Sequence, residues 1–458
     1  SDGGYKVLAT SIGDDAYPVQ DDAGASDNPQ SDEKWRSFDA VCVCCGVHEV
    51  PYMPHIDGIE TFSGKMLHSS AYKDASIFKG KRVLVLGCGE SGMDIAYRAV
   101  HQASEAAISI RNGMLAVPHD GWGGLPLDTL ICNVAEHSYE HWWCHKHHLK
   151  WRLTTFVIRI MFFLSSGTST GYNQWVGRVK RVERGHHILC KSVAALPYMN
   201  RPVKQKSWRR FIWWWAEPEV DRSIYSYPAV SSISGSTVTF SDGRAMDVDV
   251  LVYATGYTQS FPFLPKSANS RKEGLARGDD ASLPSDHLII EPDEPTLAFI
   301  GFVRPNVGAI PPMSELQVMW WIERMRGNIP AKRERPSYGL LGRKLVYGVD
   351  YGNYMHQVAS EFGASPTLTT LCRSPCALAA YCLGQAYISF FKLQGPFESA
   401  AAWRVSRTEL LQPVIQRGLA ANVIFVVTML AFGWVSLVAL CVELVCTGAR
   451  KIARSLGV

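Results

Sequence analysis

The chain has 458 residues, 47% apolar and 19% charged, enough for two or three domains with their own cores. Its net charge of +4 is small for this length, and no long basic run or nucleic-acid module accompanies it, so there is no reason to propose a nucleic-acid partner. Twelve cysteines lack the tight, even spacing of a disulfide framework and are expected to be small buried thiols in a reducing compartment.

The sequence opens at Ser1 with no initiator Met and no signal-peptide pattern, which suggests a fragment or a numbering that starts inside a longer protein. Strands are expected at 5–11 and 38–45, separated by a solvated loop at 13–34. Cys42 and Cys45 lie three apart and so on opposite faces of the second strand, which argues against a redox pair. A strand at 83–86, a turn at 87–92, a helix at 93–103 and a second strand at 106–110 form the clearest unit. Residues 113–229 are expected to be mainly helical, with an amphipathic stretch at 153–164. A hairpin follows at 237–254, then an apolar strand at 297–302 and a helix at 313–326. From 418 to 442 no residue is charged, and 25 such residues exceed the roughly 20 a helix needs to cross a bilayer.

The turn Gly87-Cys88-Gly89-Glu90-Ser91-Gly92 is G-x-G-x-x-G between a strand and a helix. Gly87 permits the tight turn, Gly89 lets backbone approach a pyrophosphate, and Gly92 lets the helix pack on the strand. The helix start then offers unpaired amides to phosphate. Arg111 ends the second strand where an NAD site usually carries an acidic residue. A guanidinium there fits a 2′-phosphate and favours NADPH, unless Arg111 is a solvated surface charge. Asp94 suits the helix's first turn.

Phe62-Ser-Gly64-Lys-Met-Leu-His68-Ser-Ser-Ala-Tyr72 matches F-x-G-x-x-x-H-x-x-x-[YFW], the identifying sequence of flavin-containing monooxygenases and their Baeyer–Villiger relatives. Its place shortly before the glycine turn, Ala254-Thr255-Gly256-Tyr257, and Gly301, Gly308 and Glu315-Leu-Gln317 further on also resemble that family. The resemblance runs in pieces over 36–330, with only Leu196-Pro-Tyr matched in the 113–229 region. It implies two doubly wound α/β dinucleotide-binding domains, FAD and NADPH as cofactors, dioxygen, and a small nucleophilic substrate oxidised at amine nitrogen or sulfide through a C4a-hydroperoxyflavin. The expected site residues are Gly87, Gly89, Glu90, Ser91, Gly92, Arg111, Thr255, Gly256, Tyr257, Asn306 and Gln317. Tyr257 and Asn306 are candidates to lie beside the flavin, with packing the alternative. Phe62, Gly64, His68 and Tyr72 form the identifying motif, and His68 is read as a hydrogen-bonded linker residue or a relay of domain motion.

The sequence departs from the family's pattern in lacking an early G-x-G-x-x-G, since Gly3-Gly4 is not that motif. The FAD domain is therefore expected to be incomplete, at 1–60 and 230–330, around an NADPH domain at 61–229, with a helical region at 331–417. An anchor at 418–445, like the hydrophobic tail of animal members, would place the protein in the endoplasmic reticulum membrane by a single C-terminal pass. The alternative is a non-catalytic, membrane-anchored dinucleotide-binding remnant lacking FAD. A flavin disulfide reductase is disfavoured because no redox cysteine pair stands in a loop. No metal is expected, although His137, His141, Cys144, His145 and His148 would share a helix face. Lys204–Trp215, a mixture of cations and indoles, is read as packing, a lipid contact or a substrate entrance.

Overall fold

The computed structural model describes residues 5–9, 34–111, 113–116, 126, 149–171, 175–176, 192–199, 220–258, 261, 263–264, 286–291, 293–305, 308–330 and 348–455. Among them the largest sheet has five parallel strands, in the order Ile224–Tyr227, Glu105–Ser109, Arg82–Leu86, Val250–Tyr253 and Lys65–His68. Alternation along its central strands divides the core in two. Val83, Val85, Ala106, Ile108, Val250 and Val252 face the helix Glu90–Gln102, which buries Met93, Ile95, Ala96, Ala99 and Val100 against them. Leu84, Leu86, Ala107, Leu251 and Tyr253 face the other way, onto Phe62 and an antiparallel meander of Val230–Ser234, Thr237–Phe240 and Ala245–Asp247.

The hairpin expected at 237–254 is therefore two elements: a meander, and a strand, Val250–Tyr253, that belongs to the glycine-turn sheet. This corrects the expectation that the strand completes a flavin domain. All four of its residues are buried, and the middle of a parallel sheet covers both faces. Its entry is fixed by Asp249, which accepts the Arg82 backbone N–H at 2.8 Å and Arg82 Nη2 and Nε at 2.9 and 3.2 Å. These bonds hold the Asp249 carboxyl at about 2, below the usual carboxylate range.

A second sheet pairs Glu294–Phe299 in parallel with Val41–Val43 and antiparallel with Ile290–Glu291. The helices Ile310–Met325 and Tyr351–Ser360 pack on it around Trp320, Tyr354 and Met355. The strand expected at 38–45 is broken at Asp39: Lys34–Phe38 pairs antiparallel with Tyr5–Ala9, and Val41–Val43 joins the second sheet. The amphipathic stretch expected at 153–164 lies in the helix Leu149–Ser166.

Two expectations are overturned. Cys42, Cys44, Cys45, Cys372, Cys376 and Cys441 are exposed, so buried thiols are not the rule here. Cys42 and Cys44, two residues apart and so on one side of the chain, are exposed with sulfurs 3.2 Å apart, while Cys45 turns to Glu49. The uncharged run at 418–442 is part of one 38-residue helix, Gly418–Ser455, that continues past Glu443 through Arg450, Lys451 and Arg454. Among the described residues no helix is long and apolar enough to cross a membrane. The anchor at 418–445, the membrane as a partner and the endoplasmic reticulum location built on it are corrected accordingly.

Candidate functional site

The glycine turn lies at the carboxyl end of the five-stranded parallel sheet, the place where open α/β sheets bind ligands. The chain leaving Val41–Val43 of the second sheet comes to the same end through His48, whose ring lies 5.1 Å from Tyr257. On the nucleotide side, Arg82–Leu86 runs into Gly87, whose φ of 104° suits only glycine. A Cβ there would lie 2.6 Å from the Ala254 carbonyl oxygen, so the turn sits against the end of Val250–Tyr253. Gly89 precedes the helix Glu90–Gln102 and provides no side-chain cap, leaving first-turn amides for an outside acceptor. Nothing lies within 4 Å of a Cβ built at Gly89, so the approach to those amides is open. Gly92 is closed in, with an added Cβ only 2.1 Å from the Gly87 oxygen. Glu90 and Ser91 are exposed at the helix start, and Arg111 is exposed two residues beyond the strand Glu105–Ser109.

The segment 254–258 joins the two sides. Tyr257–Thr258 pairs antiparallel with Val50–Pro51, and the Gly256 carbonyl accepts the Tyr52 N–H at 2.9 Å. The Thr255 hydroxyl donates to the Tyr52 carbonyl. His68, at the end of Lys65–His68, is 5% exposed and its Nε2 lies 3.0 Å from the same Gly256 oxygen. Because Nδ1 accepts the Ser70 N–H at 3.1 Å, the ring proton belongs on Nε2, where it is donated to Gly256. The Tyr257 ring lies between two imidazoles, 5.0 Å from His68 and 5.1 Å from His48. His68 thus ties the outer strand to the crossing segment.

The rest of the identifying motif has packing roles. Phe62 lies under Leu84 and Leu86. A side chain at Gly64 would strike the Asp249 carbonyl at 2.6 Å, and Tyr72 stacks on Phe78 with centroids 5.5 Å apart. Gln317 has no exposed surface. Its Oε1 accepts the Gly301 N–H at 2.8 Å, and its Nε2 donates to the Tyr354 hydroxyl at 2.8 Å. It holds the turn at Gly301, where φ is 82°. Asn306, the 137–148 cluster and the 204–215 segment lie outside the described residues.

His48 and Arg304 are site residues that sequence reasoning missed. Each follows a strand of the second sheet, and only the long-range fold brings His48 to the Tyr257 ring. The one local sign is Gly46, whose φ of 84° turns the chain just before His48.

Burial pushes the His68 imidazole below its ordinary value of 6.5, and the bond to Gly256 partly opposes this. The folded chain thus takes up the proton less readily than the unfolded chain. Stability should be full above about 6.5 and fall as pH drops through that value toward the lowered one. His68→Gln keeps a donor without the titration. In melts compared between about pH 8 and about pH 5.5, the variant should lose less stability than the wild type. Equal losses would show that His68 does not carry the acid limb.

The family model described as flavin-binding monooxygenase-like matches residues 20–143 and 220–446. Monooxygenase PC-14 of Penicillium crustosum is 31% identical over 427 residues, covering 83% of this chain and 71% of that protein. Dimethylaniline monooxygenase [N-oxide-forming] 2 of Cavia porcellus is 27% identical over 423 residues, covering 86% and 70%. Among solved structures, S-allyl-L-cysteine S-oxygenase from Allium sativum gives a TM-score of 0.41 at 18% identity, covering 71% of this chain and 54% of its own. Cyclohexanone monooxygenase from Rhodococcus sp. Phi1 bound to NADP+ gives 0.43 at 15%, covering 72% and 74%. Likeness of this degree to the solved structures places no individual residue.

Proposed function

Because the chain belongs to the flavin-binding monooxygenase-like family, we propose that it transfers one oxygen of dioxygen to a soft nucleophile, an amine nitrogen or a sulfide sulfur, at the expense of NADPH. The family uses FAD and NADPH. FAD, when bound, supplies the reduction of dioxygen and the oxygen transfer. The observation that carries the reading is the contact of the 87–92 turn with Ala254, three residues before a Tyr257 ring that touches His48 from the second sheet. A dinucleotide on the turn would thus extend toward the second sheet.

The open, uncapped approach at Gly89 fits a dinucleotide diphosphate, which would receive the amides of the helix start. Glu90 and Ser91 flank it, and Arg111 would meet the 2′-phosphate. On the flavin side, the helix Ile310–Met325 begins after Ala309 without a side-chain cap, beyond the carboxyl end of Glu294–Phe299. Pro311 and Pro312 carry no N–H, so the Ile310 and Met313 amides and the positive end of the helix dipole would face an electron-rich ring edge. Gln317 would position Gly301 beside it, and Thr255, Gly256 and Tyr257 would set the spacing between the two cofactors. Phe261, Phe299 and Phe302, with centroids 5.1 to 5.9 Å apart, pack beneath Val43 and Val47 and keep that end of the second sheet dry.

The test is flavin absorbance of the purified full chain, NADPH consumption in air, and product analysis with a tertiary amine and a thioether. Bound flavin, NADPH oxidation and N-oxide or sulfoxide are expected. A protein that holds no flavin and consumes no NADPH would overturn the reading.

A further inference from the structure

The glycine turn accounts for one side of the proposed nucleotide site. On the second sheet Leu297 pairs with Val41 and Phe299 with Val43, so both strands release their chains at the same end. One chain leads through buried Val47 to exposed His48, and the other through buried Phe302 and Val303 to exposed Arg304. The His48 ring, 5.1 Å from Tyr257, is held below its ordinary value by partial burial of the imidazole and by the Arg304 guanidinium, against the opposing effect of the Glu90 carboxylate. One imidazole therefore feels a cation from Arg304–Pro305, the strand that follows the second sheet and pairs with Gly348–Val349, and an anion from the first residue of the glycine-turn helix. No carboxylate among the described residues forms a salt bridge with Arg304. Glu90 alone would repel a diphosphate at the mouth of the turn, and a cationic wall across from it offsets that repulsion.

We infer that Arg304 and His48 bind the diphosphate of the nicotinamide dinucleotide from the side opposite the glycine turn. The inference rests on the nucleotide reading above and deepens it. The Arg304 guanidinium can donate two parallel bonds to phosphate oxygens. His48 is neutral in the free protein near neutrality and gains a proton when phosphate charge arrives, so binding tightens as pH falls. The other groups at this ring are Tyr257, Glu90, and His68, which lies beyond Tyr257 with its proton committed to Gly256.

Titration calorimetry on the full chain tests this with NADP+ and with ADP-ribose, which keeps the diphosphate and lacks the 2′-phosphate. Arg304→Ala should weaken both ligands about tenfold and flatten the salt dependence, with Arg304→Lys restoring part of the affinity. His48→Gln should match wild type near pH 8 but lose the tightening toward pH 6. Unchanged binding by Arg304→Ala, with wild type binding normally, overturns the inference and leaves the nucleotide reading intact. Loss of flavin with NADP+ affinity unchanged assigns the guanidinium to the flavin and also overturns it. Failure of the wild type to bind either ligand removes both readings. Should Arg304→Ala not fold, Arg304→Lys and His48→Gln carry the same comparison.

Discussion

Gly92→Ala is expected to cost the chain at least a hundredfold in NADP+ affinity, measured by calorimetry on the folded variant. The added methyl would sit 2.1 Å from the Gly87 oxygen and 3.0 Å from its carbonyl carbon, and backbone cannot rotate away as a side-chain end can. The helix must retreat, but Met93, Ala96 and Ala99 behind it are buried and leave it no room. Displacement of the helix start by about 1 Å takes its amides off the phosphate, and misplacement on that scale costs about two orders of magnitude. Gly89→Ala is the control. Its Cβ meets nothing within 4 Å and its φ of −71° is ordinary, so the fold should melt as wild type. A methyl in that open approach should still weaken NADP+, because it occupies ligand space. If Gly89→Ala bound as wild type, no phosphate would pass over the turn.

Gln317→Leu should produce the largest loss of stability, about 2–5 kcal/mol, in urea unfolding followed by tryptophan fluorescence. The substitution keeps the volume but strands the part-buried Gly301 N–H and removes the donor to Tyr354, which like Gln317 has no exposed surface. Tyr354 in turn donates to the His287 carbonyl at 2.8 Å, and burial pushes its hydroxyl far up so that it stays protonated. The chain Gly301–Gln317–Tyr354–His287 therefore links the second sheet, two helices and the loop before Ile290. Trp320 and Trp321, one turn along the helix from Gln317, report its loosening directly. Tyr354→Phe should cost less, about 1–2 kcal/mol, because the Gly301 bond survives. An unchanged midpoint for Gln317→Leu would show that the amide bonds are replaceable by packing.

The local parts of this site are legible in the sequence, and the long-range parts are not. Strand, glycine turn and helix at 82–102 follow from apolar run, glycine spacing and 3.6-residue periodicity, all within one segment. The motif Phe62, Gly64, His68 and Tyr72 marks a location, but its pattern says nothing of the His68 bond to a carbonyl 188 residues away. Val250–Tyr253 reads as a buried strand because it is apolar on both faces. The same absence of alternation hides which sheet it enters, and Asp249 facing Arg82 decides that. Gln317 can be picked out by resemblance, yet a polar residue fully inside its domain is distinguished from a ligand contact only by its partners. Outward-facing Cys42 and Cys44 escape a reading by composition, since thiols are usually buried.

The central place of Val250–Tyr253 also dictates the order of assembly. Asp249 meets Arg82 across 167 residues, and the strand it introduces fills the gap between Arg82–Leu86 and Lys65–His68. At about 5–20 residues per second, ribosomal synthesis leaves those two neighbours with open edges for roughly 10–30 seconds before their partner emerges. Through that interval their unsatisfied backbone groups can pair with another nascent chain, and closure of so long a loop makes the last step slow. Yield in expression should thus depend on chaperone supply and growth temperature more than on the finished protein's melting point.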